Sequence, residues 1–339
     1  MRVTELSTPQ VLVDRPRLLA NLDRMQALAS TNGLRLRPHA KTHKSPVVAR
    51  WQIDRGAVGI CCAKLGEAEV FAAAGLADVC LPYPVNPFEA PRVLALLDRT
   101  HLSIVVDHQE VACGWSHAMR RAGRQLDVLV KVDVGFHRCG IDPHDELEAV
   151  ARSEAEILGG LARALRARGV AIDEVSVGAT PPARFSARQP GVTEMRPGNY
   201  AYFDRAQVAL GAARLEDCAL TVLARVVSKP ASDRIILDCG TKTLTSDAAR
   251  GFTPQPGHGL VFDDLERPVA DEHLLVERLS EEHAVVRVMN GHTRLAPGDV
   301  VRVLPNHSCV VSNLVDEICL VDGLEVVDRL KVEARGRIR

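Results

Sequence analysis

The segment Arg37-Pro38-His39-Ala40-Lys41-Thr42-His43-Lys44 sets a lysine among two imidazoles and a second ammonium, at the C-terminal end of an apolar run. An amine attacks a carbonyl only when neutral, and cationic neighbours with partial burial lower a lysine pKa from its reference of about 10.4. Lys41 therefore has the surroundings for Schiff-base chemistry. The same octapeptide also reads as a basic loop that meets solvent or an anion, so the decision falls to the rest of the chain.

Three further constellations bear on it. Lys131-Val132-Asp133-Val134-Gly135-Phe136-His137-Arg138-Cys139-Gly140 places Lys131 and Asp133 on one strand face, before a glycine-bounded turn. In a barrel that turn lies at the catalytic mouth, where Arg138 can hold a carboxylate or a phenolate oxygen. A plain Lys131 to Asp133 salt bridge is the structural alternative. Val177-Gly178-Ala179-Thr180-Pro181 and Arg196-Pro197-Gly198-Asn199-Tyr200 each follow a candidate strand. Their amides and short polar side chains can cradle a phosphate, and the last two loops of a barrel are a recurring place for one. In Leu304-Pro305-Asn306-His307-Ser308-Cys309, one residue separates an imidazole from a thiol. On an extended backbone both point the same way and can share a metal ion, and a thiolate with an imidazole suits zinc. With only two protein ligands in sight, water and substrate would complete such a site.

The elements that must position these residues fall into two textures. From residue 10 to 212, short β-rich runs alternate with helical patterns, the mark of βαβ units and a parallel sheet. Barrel strands are predicted over 34–42, 57–62, 78–85, 102–107, 126–134, 174–179 and 193–201, and helices over 16–32 and 65–74. Asp14 caps the first helix and Gly33 stops it. Seven strands leave a (β/α) barrel one short of eight. The eighth belongs between residues 134 and 174, where a helical segment over 145–168 dominates. From residue 213 to 339, successive β runs at 219–228, 234–238, 273–279, 283–289, 300–304 and 319–321 predict an antiparallel β domain, with the extreme N-terminus packing on it.

Composition excludes several classes. The chain has 339 residues, 46% hydrophobic and 25% charged, with a formal net charge of -1. Its Lys and Arg residues are scattered, so no basic stripe exists to bind nucleic acid. No membrane is implied, because no apolar run reaches about 18 residues. The start lacks the features of a secretion signal, and the expected location is cytoplasmic. Nine cysteines without framework spacing predict no disulfides. Cys61 and Cys62 read as buried strand, as do Cys80, Cys113, Cys218 and Cys319.

Taken in order, Pro38 to Lys44, Lys131 to Gly140, Gly178 to Pro181, Arg196 to Asp204, Ser280-Glu281-Glu282-His283 and Pro305 to Cys309 resemble the D-serine dehydratase and D-threonine aldolase family, over nearly the whole chain. The resemblance implies an alanine-racemase-like (β/α) barrel with a C-terminal antiparallel β domain. It implies pyridoxal 5'-phosphate and a divalent metal, with zinc favoured over manganese or magnesium by the thiolate. Lys41 would be the Schiff-base lysine with His39 beside the cofactor, and Arg138 would lie near the phenolic oxygen. Gly178, Thr180, Asn199 and Tyr200 would hold the phosphate, and Arg196 would meet the pyridine nitrogen. His307 and Cys309 would bind the metal, which would polarise the substrate's β-hydroxyl.

The implied reaction is a lyase reaction on a small β-hydroxy-D-amino acid. Dehydration to ammonia and a keto acid is favoured, because Cys309 stands where the aldolases tend to carry aspartate. Retro-aldol cleavage to glycine and an aldehyde is the alternative. One family feature is missing: a strand ending in a Gly-Tyr-Glu-Gly-His-like motif between residues 134 and 174, of which Ile157-Leu158-Gly159-Gly160-Leu161 reads as a remnant. That departure motivates another alternative, a catalytically impaired pyridoxal-phosphate-binding protein. Racemisation ranks lower, since the only tyrosines are Tyr83, Tyr200 and Tyr202, and the β domain supplies none as a second base. Related enzymes suggest a homodimer.

Overall fold

The computed structural model describes residues 1–131, 156, 158–160, 162–247, 255–267, 269–289 and 291–339. The chain divides into two compact units. Of the described residues, the first takes 1–23 and those from 199 to 335, and the second takes those from 24 to 198 with 336–339.

Strand β1 (Gln10–Asp14) runs directly into the helix Arg15–Thr31. Asp14 caps this helix, its Oδ1 accepting the Arg17 N–H at 2.9 Å, which fills one of the donors a helix start leaves unpaired. Leu18, Leu22, Met25 and Ala29 recur along one face and are buried. Gly33, at φ +66°, ends the helix with its N–H on the Ser30 carbonyl.

The second unit contains strands β2 (Arg35–Leu36), β3 (Ile60–Cys61), β4 (Asp78–Pro84), β5 (His101–Val106), β6 (Asp127–Val130), β7 (Ser176–Gly178) and β8 (Glu194–Arg196), all paired in parallel. One run is β3-β4-β5-β6 and the other β2-β8-β7. A parallel bridge between His39 and Cys61 joins them, with the Cys61 N–H on the Pro38 carbonyl at 2.7 Å. Helices Pro46–Ile53, Leu65–Ala73, Ala90–Leu97 and Gln109–Ala122 intervene, giving the βα alternation. Val79, Cys80 and Leu81 on β4 are buried, as are Leu102, Ile104 and Val105 on β5, which is what parallel strands covered on both faces require.

Every strand expected in this part of the chain coincides with an observed one. The place for an eighth lies largely outside the described residues. Where it is described, Leu158, Gly159, Gly160 and residues 162–167 are helical. The glycine pair is therefore no strand remnant, and the cost of about 1 kcal/mol per glycine is borne inside a helix.

Polar side chains from these strands lie in two layers. In the first, the Arg37 Nε donates to Glu194 Oε2 at 2.9 Å, its Nη1 pairs with Asp78, and the Ser176 hydroxyl donates to Glu194 Oε1 at 2.7 Å. Two residues further along the same strands stand His39, Arg196, Cys80 and Gly178. Side chains two apart share a face, so these four form the next layer.

In the first unit, β9 (Leu220–Ala231), β10 (Arg234–Leu237), β11 (Gly259–Phe262), β12 (Leu274–Leu279), β13 (Ala284–Val288) and β14 (Val300–Pro305) close into an antiparallel barrel of order β9-β10-β13-β12-β11-β14-β9. Closure removes the free edges of an open sheet. β1 pairs with β9 and, in parallel, with β15 (Glu317–Asp322), and β16 (Glu325–Lys331) completes the extension. β1, β11 and β16 were not among the expected strands.

Among the described residues no helix is long and apolar enough to cross a membrane. The eight described cysteines are free thiols. Cys61, Cys62, Cys80, Cys218 and Cys319 are buried, but Cys113 is exposed on the helix Gln109–Ala122 and not in a strand.

Replacing Arg37 by methionine strips a buried carboxylate of its cation. Urea unfolding should show a loss of about 3–5 kcal/mol, much of it recovered when Glu194→Gln is added. Equal midpoints for wild type and the single variant would contradict the assignment.

Candidate active site

Lys41 sits in a 3-10 turn, Ala40–Thr42, that continues β2. The His39 N–H is held by the Pro197 carbonyl at 2.9 Å, and the Lys41 N–H reaches His39 Nδ1 at 3.4 Å. His43 is buried, and its Nδ1 accepts the Ser45 N–H at 3.1 Å just before the helix Pro46–Ile53. Lys44 is buried against Glu67, with Nζ 2.8 Å from Oε1. The partial burial expected for Lys41 is not found, since its side chain is exposed. Nor is Lys44 a bare second ammonium, because Glu67 neutralises it. Burial, reinforced by Lys41, Arg196 and His43, holds His39 well below the usual imidazole pKa.

The loops after β7 and β8 meet this turn. Gly178 pairs in register with Arg196, and the Gly198 N–H reaches the Thr180 hydroxyl at 3.3 Å. A Cβ on Gly198 would lie 2.9 Å from both the Cβ and the carbonyl oxygen of His39, so only glycine lets this loop pack against the Lys41 turn. The Arg196 side chain, half-buried, makes no hydrogen bond or ion pair with the described residues. Arg196, exposed Lys41 and the glycine loops form a donor set suited to the phosphate and ring acceptors of pyridoxal phosphate. His39, Lys41, Gly178, Thr180 and Arg196 thus gather in one unit. Arg138 lies outside the described residues.

Sequence reasoning missed a thiol pair beside them. Cys61 and Cys80 are register partners on β3 and β4. The hydrogen bond from Cys61 works against burial to lower the Cys80 pKa to about 7, helped by Ser103, Arg196 and Arg37. Only strand register brings the two together, and the sequence does not print register.

The first unit holds the other set. β14 ends at Pro305, and His307 precedes a short helix, Ser308–Ser312. Cys309 therefore lies in a helical turn, and the extended-backbone argument for the pair fails. The side chains are nonetheless hydrogen-bonded to each other. His307 Nδ1 is also 2.8 Å from Asp247 Oδ2. Burial opposes a charged ring, yet the bond and charge of Cys309, the charge of Asp204 and the bond to Asp247 outweigh it and raise His307 to about 9.

Asn199 belongs to this set. Its Nδ2 donates to Asp204 Oδ2 at 2.6 Å and lies 3.3 Å from Ser308 Oγ and 3.4 Å from Cys309 Sγ. Its side-chain amide is therefore hydrogen-bonded within this set. Asp204 Oδ2 also takes the Ser308 N–H at 2.9 Å. Tyr200 is buried. Tyr202 is fully buried with its hydroxyl unpartnered, and burial and Cys309 push its pKa up. Among the described residues no group of three or more His, Cys, Asp or Glu side chains could hold a metal ion. An imidazole and a thiol in contact suit a cation that keeps other positions for water or substrate.

The comparisons with known proteins bear on the family. The model of a putative serine dehydratase domain matches residues 219–321, and that of the alanine racemase N-terminal domain matches residues 13–161. D-threonine aldolase from Arthrobacter sp. is 34% identical, over 98% of this chain and 94% of its own. The chain belongs to the D-serine dehydratase and D-threonine aldolase family. The family's enzymes are pyridoxal-phosphate-dependent lyases, and this chain is one of that class. D-threo-3-hydroxyaspartate dehydratase from Delftia sp. HT23 is 32% identical over 90% of this chain and 91% of its own. Its solved structure superposes with a TM-score of 0.85 over 97% of this chain and 98% of that one, and a variant of it was solved in a metal-free form. Alanine racemase from Bacillus anthracis shares the fold, with a TM-score of 0.62 at 12% identity over 96% of this chain and 98% of that one.

The Lys41 turn makes stability depend on acid. Burial lowers the His43 pKa to about 4, whereas the unfolded chain protonates near 6.5. Above that value His43 contributes fully, and its contribution falls as pH drops through the interval, by about 3 kcal/mol at most. Urea midpoints at pH 7 and pH 4.5 should diverge more for the wild type than for His43→Asn. Parallel pH profiles would refute this.

Proposed function

We propose that the chain is a pyridoxal-phosphate- and metal-dependent lyase acting on β-hydroxy-D-amino acids, of the D-serine dehydratase type. The observation that carries the dehydratase reading is the hydrogen-bonded pair of His307 and Cys309. A soft thiolate beside an imidazole favours zinc over harder ions. Bound pyridoxal phosphate supplies an electron-poor ring that stabilises negative charge at Cα, and a zinc ion supplies Lewis-acid polarisation of a hydroxyl.

The chain's own residues do the rest. Exposed Lys41 Nζ is the amine for covalent attachment, and once released it is the base within the same turn that can take the Cα proton. Arg196, without a carboxylate partner among the described residues, supplies donors to the cofactor, while Gly178 and the Thr180 loop offer amides to its phosphate. His39, held neutral, adds no second positive charge beside Lys41. His307 and Cys309 would hold the divalent ion, which would supply polarisation of the substrate's hydroxyl.

The aldolase reading has its own support in the 34% identity to D-threonine aldolase. Both reactions begin from the same bound substrate and differ in which bond to Cβ breaks: C–O for dehydration, Cα–Cβ for retro-aldol cleavage. Supplying D-serine, D-threonine and D-threo-3-hydroxyaspartate separately, and assaying keto acids, ammonia, glycine and aldehydes, distinguishes them. Pyruvate from D-serine and 2-oxobutyrate from D-threonine are expected. Glycine with acetaldehyde, without 2-oxobutyrate, would transfer the assignment to the aldolases.

Borohydride reduction of the reconstituted protein should fix a pyridoxyl label on Lys41 that Lys41→Ala abolishes. Arg196→Ala should weaken cofactor binding at least about tenfold, as expected for a lost charge-assisted contact. His307→Ala and Cys309→Ala should retain the label and lose turnover. A labelled wild type that turns over no D-amino acid would leave a cofactor-binding protein without catalysis.

A further inference from the structure

Asp247 is 60 residues from His307 in sequence, and no motif flagged it. Its Oδ2 lies 2.8 Å from His307 Nδ1, with both side chains largely buried. The turn that delivers it is strained. Thr245 has φ +62° and ψ 153°, a region that a β-branched residue rarely adopts, and its Oγ1 accepts the Asp247 N–H at 3.1 Å. The Thr245 N–H is in turn held by the Thr241 carbonyl at 3.1 Å. A backbone kept in such a conformation by its own hydrogen bonds aims one carboxylate at one ring nitrogen.

A carboxylate can only accept, so the nitrogen facing it carries the proton. Nδ1 thereby keeps its N–H, and Nε2 is the nitrogen at which a cation can take the place of a proton. Asn199 Nδ2 stands 3.4 Å from Cys309 Sγ on the other member of the pair.

We propose that Asp247 is a positioning residue for a cation site at His307 and Cys309, fixing the imidazole's orientation and tautomer so that Nε2 is presented as a ligand. This rests on the metal-dependent reading above and deepens it, since Asp247 would act through His307 and not as a third ligand. Carboxylate partners of ligating histidines typically contribute 10- to 100-fold, in round terms roughly so, to metal affinity.

The test is Co2+ binding to metal-free holoenzyme, measured by competition with a chromophoric chelator, with cofactor absorbance recorded on the same samples. Asp247→Ala should lower Co2+ affinity by about 10- to 100-fold while cofactor absorbance stays at the wild-type level. Asp247→Asn, whose amide oxygen can still accept the Nδ1 proton, should restore most of that loss. A purely architectural role would disturb cofactor loading along with the metal and would show no rescue by asparagine. Equal Co2+ affinity in the wild type and Asp247→Ala overturns the inference alone, provided His307→Ala loses binding. If the wild type binds no Co2+, the metal reading falls and takes the inference with it. Should Asp247→Ala fail to fold, Asp247→Asn carries the test: an affinity a few-fold below wild type supports the inference, and an unchanged affinity together with an unchanged affinity in Asp247→Ser overturns it.

Discussion

Glu194 is almost completely buried, and a buried carboxylate persists only beside a cation. Arg37 supplies that cation from the neighbouring strand, and the pairing of β2 with β8 is fixed by it: any slip in register would leave both charges unpaired. Much follows from that one ion pair. Arg37 and Glu194 each stand two residues before a member of the next layer, His39 and Arg196. Fixing the lower layer therefore fixes the upper one, and with it the distance from the Lys41 turn to the lone guanidinium. The rigid, charged floor does for the cofactor residues what a hydrophobic floor could not, because apolar contacts tolerate sliding and a hydrogen-bonded ion pair does not.

The second set is organised by a different means. His307 and Cys309 hang from the end of β14 in a closed barrel, but their surroundings are supplied by Asp247 from one place in the chain and by Asn199 and Asp204 from another. Burial alone would have kept the His307 ring neutral. The surrounding acceptors reverse that preference.

The strands were legible because each is a short apolar run bounded by glycine or charged residues, and burial on both faces imposes that composition. The helix Arg15–Thr31 was legible from its cap, its spacing and Gly33. Strands β1, β11 and β16 were not: β11 has only four residues and opens on a glycine, and β16 is an edge whose side chains are mostly charged or exposed. Cys113 and the Gly159-Gly160 pair were misread because residue type was allowed to outweigh its setting in a helix. Lys41, His307 and Cys309 stood out as candidates by their chemistry, and Arg196 only by the resemblance. Their surroundings did not. The exposure of Lys41 depends on Lys44 turning inward to Glu67, and the role of Asn199 depends on Asp204 and Cys309, contacts that no local spacing announces.

β1 lies between β9 and β15, so a strand made at the very start of synthesis finds its two neighbours only near the end. At roughly 5–20 residues per second, tens of seconds separate the appearance of Gln10 at the ribosome from that of Leu220, and more from that of Cys319. The strands that carry Lys41 and Arg196 are all complete before then. The nascent polypeptide is thus obliged to shelter an orphan apolar segment, Val11-Leu12-Val13, while the parallel-stranded part takes shape, and helper proteins that guard exposed chains would have their best opportunity in that interval.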